Sequence, residues 1–207
     1  MRSLTLALVH SLLGCGTPGS GVSKTEAREV APFSAVSVSG AFQLELQTGA
    51  TQKVELVGDD NLLPRYKTEV TGGALKIHTE GSVRPKVGPT VRITVPALKR
   101  LDISGAVTGT LKGLGGERLE LDISGAANLT LIGKVAHLEV DTSGAAKVRA
   151  EGLEARNVKV SASGAGSIDV HAIETLDVSV SGAATVRYGG QPKLTKDISG
   201  VGKLAPR

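Results

Sequence analysis

Aspartates recur once per repeat in this chain, at Asp102, Asp122, Asp141 and Asp197, with Ser161 and Ser179 at the equivalent positions between the last two. Carboxylates stacked at the spacing of neighbouring strands repel unless they are paired, hydrated or bridged by a cation. Two chemistries would use such a ladder: a calcium site, or an acidic cluster of the kind found in β-helix polysaccharide lyases. A third reading is structural, each Asp bonding nearby hydroxyls or turn amides and fixing a corner of the fold. Serines replace Asp in two repeats, and no basic residue stands out beside the ladder to act as a base. The structural ladder, able to accept a cation, is therefore the preferred reading.

The serine of each Ser-Gly step, Ser124 for instance, could attack a carbonyl only with a base in reach. No paired His and acid accompany it. His10, His78, His137 and His171 are scattered and lack metal-ligand spacing. The single Cys15 excludes an internal disulfide, a Cys-based zinc site and a CxxC redox motif. No catalytic residue, metal site or cofactor is assigned.

Cys15 has a different use. The chain opens MRSLTLALVHSLLGC, with Arg2 as a minimal positive start and Leu4 to Leu13 as a short apolar stretch. Leu12-Leu13-Gly14-Cys15 matches the bacterial lipobox, in which the Cys thiol accepts a diacylglycerol and a small residue admits the peptidase. The stretch is too short to span a bilayer as a permanent helix. Gly16-Thr17-Pro18-Gly19-Ser20-Gly21 then has the composition of a flexible tether. The expected organisation is a signal peptide at 1–14, a lipid-anchored tether at 15–28 and one folded domain at 29–207. Without Asp after Cys15 to retain it at the inner membrane, the outer membrane is the expected destination. A secretory signal without lipidation is the alternative.

The elements that must position the aspartates show in an internal repeat. LDISGA stands at 101–106 and 121–126, VSVSGA at 36–41 and 178–183, with VDTSGA at 140–145, VSASGA at 160–165 and KDISGV at 196–201. Gly105, Gly125, Gly144, Gly164, Gly182 and Gly200 mark a period of about 18–20 residues, as in a solenoid. Apolar and polar residues alternate before each glycine: Leu121 and Ile123 face one way, Asp122 and Ser124 the other. Gly permits a corner, and Ala after it is expected to pack against the adjacent coil. A second alternating run follows, such as Asn128 to Leu131. Turns such as Gly133-Lys134 or Gly189-Gly190 lead to the next coil. The fold expected is an all-β, right-handed parallel β-helix.

Composition agrees. Aromatics are 2 % of the chain, so Val, Leu, Ile and Ala must fill the interior, which suits a thin solenoid. The net charge of +4 is spread out, without aromatic interleaving, so nucleic acid is not an expected partner. The first half is less regular: strand-like runs fill the interval between Gly40 and Gly105, Gly72-Gly73 predicts a hairpin, and 81–89, with Pro85 and Pro89, predicts an exposed loop.

VAPFSAVSVSGAFQLEL (30–46), VELVGDDNLLPRYKTEV (54–70), GGALKIHT (72–79), VRITVPALKRLDISGA (91–106) and the later SGA repeats resemble the head GIN domain family, the auto-transporter adhesins, over residues 29–204. That resemblance implies an exported bacterial protein with a β-helix-like fold and carries over no catalytic residues. The expected function is a non-enzymatic surface or periplasmic module, structural or adhesive, that meets the membrane through its lipid and an envelope protein or glycan through a polar face. Asn128, Lys147, Arg149 and Arg187 are candidates for that face, and Tyr188 is the sole aromatic of the regular coils. The alternative is a glycan-active β-helix enzyme using the Asp ladder. A bare strand edge at the last coil would favour a homo-oligomer.

Overall fold

The computed structural model describes residues 16–207, so the lipobox and Cys15 lie outside the described residues. Those residues form a parallel β-solenoid of about five turns. Its one helical element is the 3-10 turn Leu63–Arg65, and no helix among them is long and apolar enough to cross a membrane.

Each regular coil is one long bent strand: Ala106–Ile123, Ala126–Thr142, Ala145–Ala162 and Ala165–Val180. The turn expected at Gly133-Lys134 is a bend inside such a strand. Adjacent backbones stay hydrogen-bonded through it, and the register slips locally, between Leu111 and Leu114, between Thr130 and Ile132, and in the next pair of coils between Ala150 and Glu154 and between Ala155 and Asn157. The repeats stack in the register that their hexapeptides suggest. Val36, Leu101, Leu121, Val140, Val160 and Val178 make one inward column, all essentially without solvent exposure. Burying each such side chain is worth about 1.5–3 kcal/mol relative to leaving it in water.

The Ser-Gly-Ala corner works differently from expectation. Ala106, Ala126, Ala145, Ala165 and Ala183 are exposed, so the alanine does not pack between coils. Gly105, Gly125, Gly144, Gly164 and Gly182 do. A Cβ on Gly125 would stand 2.1 Å from the Gly105 carbonyl oxygen, and one on Gly144 would stand 2.0 Å from that of Gly125. None of these five glycines has a positive φ. Glycine is required here by the close approach of backbones and not by its conformational freedom. At Gly-Gly in the first half the reverse holds: Gly72 and Gly73, with φ of 60° and 76°, turn the antiparallel hairpin of Tyr66–Thr71 and Ala74–Thr79.

That hairpin caps one side of the first coil through the parallel pairing of Ala74–Ile77 with Ala35–Val38. On the other side, Ala41–Thr48 pairs with Thr90–Val95, which pairs antiparallel with Lys53–Asp59, and Ser23–Ala27 forms the outermost strand. The rings that the regular coils lack are gathered in this wider end. Phe33, Phe42 and Tyr66 are buried, with Phe42 and Tyr66 edge to face at 5.5 Å. At the opposite end Lys193–Ile198 is exposed throughout, and Lys196 follows Val178 in the inward column. A charged side chain at an inward position opposes the addition of a further strand.

The Gly-rich segment expected as a flexible tether is, from Gly16 onward, strapped to the capped end. Thr17–Pro18 pairs in parallel with Val83–Arg84, and Ser23–Ala27 pairs with Lys53–Asp59. The reason is Asp59, which is fully buried. Its carboxylate accepts the backbone N–H groups of Gly21 at 2.6 Å, Lys86 at 2.9 Å and Val87 at 3.0 Å. One buried charge thus joins the strap, the sheet and the 81–89 segment, which is largely exposed, Pro85 included, but carries the short strand Val83–Arg84 and buries Pro89 at its base, against expectation. Gly19 leaves room for it: a Cβ there would stand 2.3 Å from Asp59 Oδ2. Burial pushes the Asp59 pKa up, but the donated amides of Val87, Gly21 and Lys86, with the Lys86 charge, outweigh it and leave the group below its ordinary value.

Two measurements check these points. Gly125→Ala should lower stability by about 1–3 kcal/mol through overpacking, read as a fall in thermal midpoint, while Ala126→Ser next to it should be nearly neutral. For Asp59, a lowered folded pKa means stabilisation that is complete above the unfolded value, about 3.9, and is lost as pH falls through the folded one. Urea unfolding at neutral and at acid pH should show the parent losing more stability than Asp59→Asn between the two conditions. Equal losses would count against this role.

Candidate binding face

On a strand, residues two apart share a face, so each coil contributes one residue to each of several outward rows. The first is Arg100, Glu120, Glu139, Lys159 and Asp177. The second is Ser37, Asp102, Asp122, Asp141, Ser161, Ser179 and Asp197. The third is the corner serines. Ser124, Ser163 and Ser199 each donate a long hydrogen bond, 3.4–3.5 Å, to a carbonyl of the preceding coil. Those hydroxyls serve the corner, and no His and acid are bonded to them.

The carboxylates of the second row divide into two groups. Arg100 lies along the first and spreads its guanidinium across three acids: Nε to Asp102 at 2.7 Å, Nη1 to Glu120 at 2.9 Å and Nη2 to Asp122 at 3.2 Å. Arg118 continues the network by joining Glu120 to Glu139, and Lys159 reaches Glu139 at 2.8 Å. The hydrogen bond that Arg100 donates to Asp102 leads the effects that raise the Arg100 pKa, against burial, with the charges of Asp102 and Glu120 adding to it. The Lys159 hydrogen bond leads in lowering that of Glu139. The basic residue that the sequence did not reveal beside the ladder is thus Arg100. Held firmly protonated, it neutralises the acids and cannot take a proton from a substrate. The partners of Asp102 and Asp122 are this guanidinium and not hydroxyls or turn amides. Arg100, Glu120, Glu139 and Lys159 stand two residues ahead of the ladder in each repeat, and the same alignment that finds the aspartates finds them.

Beyond Arg100 the row is open. Among the described residues, Asp141, Ser161, Ser179 and Asp197 make no side-chain hydrogen bond or ion pair, although Asp141 lies within the field of Lys159. With Ser143, Ser163 and Ser181 they line a shallow groove of about 280 Å³ along the last coils. Asp197 stands apart from the other three acids, with two serine coils between it and Asp141. Among the described residues no three His, Cys, Asp or Glu side chains are grouped to hold a metal ion. What the groove offers is a rigid array of hydroxyl and carboxylate groups at the coil repeat, about 4.8 Å.

The other polar face carries the remaining candidates. Asn128 and Lys147 are neighbours in one row, and Arg149, Asp169 and Arg187 in the next. Arg149 donates to Asn128 Oδ1 at 2.7 Å, and Arg187 pairs at 3.3 Å with Asp169, which is only 7 % exposed. Both arginines are thus partly engaged within the coil stack. Tyr188 is packed, half-buried, against the core.

Residues 32–192 match the family described as "putative auto-transporter adhesin, head GIN domain". The chain belongs to the head GIN domain family. That family is described as adhesin-type, which goes with a binding module at the cell surface or envelope. The fold of this head GIN domain is shared by a putative adhesin from Bacteroides fragilis, 19 % identical, with a TM-score of 0.74 over 93 % of this chain and 100 % of that one. A putative adhesin from Parabacteroides merdae, 19 % identical, has a TM-score of 0.58 over 93 % and 99 % of the two chains. A putative lipid binding protein from Parabacteroides distasonis, also 19 % identical, has a TM-score of 0.52 over 92 % and 98 %. No curated protein matches the chain.

Arg100→Gln tests the division of the ladder. It should leave Asp102, Glu120 and Asp122 facing one another and lower stability. Because Arg100 is 44 % exposed, solvent screening holds the loss near 1 kcal/mol. Chemical denaturation should show this loss shrinking at high salt. A loss independent of salt would assign Arg100 a packing role instead.

Proposed function

We propose that this head GIN domain is exported, is tethered to the outer membrane by a lipid on Cys15, and acts as a non-enzymatic adhesion module whose open Ser/Asp groove meets an envelope protein or a glycan. The observation that carries the reading is the contrast along one row of the solenoid. Where Arg100 spans the acids, the face is internally satisfied. Past it, Asp141, Ser161, Ser179 and Asp197 are presented outward without a side-chain hydrogen bond or ion pair among the described residues. A flat repeated array on a stiff scaffold suits recognition of an extended, polar partner, since its groups are held in position before binding. The firmly protonated Arg100 beside the acids supports a structural role for that half of the ladder over acid–base chemistry.

Two arms test the parts separately. Labelling with a clickable fatty acid should mark the wild-type chain and leave Cys15→Ser unmarked; equal labelling would refute the lipid tether. Filling the groove with Ser161→Leu and Ser179→Leu should keep the fold, judged by circular dichroism. It should also abolish binding of the purified chain to cell surfaces or to a glycan and envelope-protein array. Undiminished binding would move the contact to another face.

A further inference from the structure

The strap is docked on the body from its first described residues. The Thr17 amide donates to the Ser82 carbonyl at 2.9 Å, and that of Gly19 donates to the Arg84 carbonyl at 2.9 Å. With Gly16 already seated there, a lipid on Cys15 would hang from the folded domain by one residue, a reach of about 3.5 Å. No slack would separate this end of the solenoid from the bilayer surface.

Three exposed cations lie along the strap and the segment on which it docks. A Cβ added at Gly16 would meet the Arg84 Cγ at 3.3 Å, one at Gly21 would meet the Lys86 Cδ at 3.4 Å, and one at Gly81 would meet an Arg65 Nη at 3.6 Å. Arg65, Arg84 and Lys86 form no ion pair among the described residues. The nearby carboxylates are engaged, Glu80, whose amide donates to the Arg65 carbonyl, by Lys67 at 3.2 Å. Asp59 is buried beneath three backbone amides, although it feels the charge of Lys86. Asp60 accepts from the Ser20 hydroxyl and from the Asn61 amide at 2.7 Å. Val22, 59 % exposed, adds an apolar side chain on the same strap.

We propose that Arg65, Arg84 and Lys86, with Val22, form a membrane-contact patch that binds the anionic phospholipid headgroups of the leaflet holding the lipid. The occupant follows from charge complementarity and from position. The patch adjoins the anchor, and headgroups within a Debye length, about 8 Å, attract each cation. Such contact would lay the capped end on the bilayer and hold the coils that carry the Ser/Asp groove at the far end of the stack. The orientation rests on the lipid-tether reading; the headgroup affinity does not, so the two can fail separately.

The test uses the full chain carrying Cys15→Ser, which cannot be acylated, mixed with vesicles of phosphatidylcholine alone or with added phosphatidylglycerol. Sedimentation should show preference for the phosphatidylglycerol vesicles, weakening as salt rises. Arg65→Gln, Arg84→Gln and Lys86→Gln combined should lower that binding by roughly fivefold per cation. Neutralising Lys193, Lys196 and Lys203, exposed in the last strands at the far end of the stack, should leave it unchanged. Equal binding to both vesicle types would overturn the patch, as would a triple variant that binds like its parent or a control that falls as far. Absence of fatty-acid label on the wild type would defeat the tether and leave the vesicle result standing.

Discussion

The solenoid depends on backbones approaching at one corner more closely than any side chain allows. In the column Gly105, Gly125, Gly144, Gly164 and Gly182, the carbonyl oxygen of one coil occupies the place where the Cβ of the next would stand. Stacking in register follows from that contact, because a coil shifted by one residue would drive a serine or an alanine into the carbonyl. The parallel ladder then aligns each inward aliphatic with its equivalents above and below. A narrow interior is filled without rings.

The same registration creates the outward rows, and with them an electrostatic problem that the chain resolves locally. Two of the three consecutive aspartates, Asp102 and Asp122, are tolerable on the coils nearer the cap because Arg100 lies across them, and the third, Asp141, lies within the field of Lys159. Farther along, serine replaces aspartate on two coils, so charge density falls where no guanidinium is available. The open groove is the by-product of that second solution. Under the proposed function, stability and recognition would use the same ladder at different coils.

At the capped end a different principle operates. The wider coils hold the buried rings, antiparallel strands cover the first coil, and Asp59 binds three separate segments through their amides. Glycine and serine in the strap suit a flexible linker in isolation. Here they give the backbone access to a buried carboxylate, and the segment is ordered for that reason.

The period, the strand alternation, the inward column and the aligned row of Asp102, Asp122, Asp141 and Asp197 are legible in the order of residues, because each is a regularity of spacing along the chain. So is the hairpin at Gly72-Gly73, whose local conformation needs glycine. Which residue of Ser-Gly-Ala meets the neighbouring coil, which acids Arg100 neutralises, and the docking of the strap emerge with the folded chain. Those outcomes depend on atoms brought together from distant positions, such as Gly21, Asp59 and Lys86. A contact between segments leaves no periodic trace in the order of residues, whereas a repeat does.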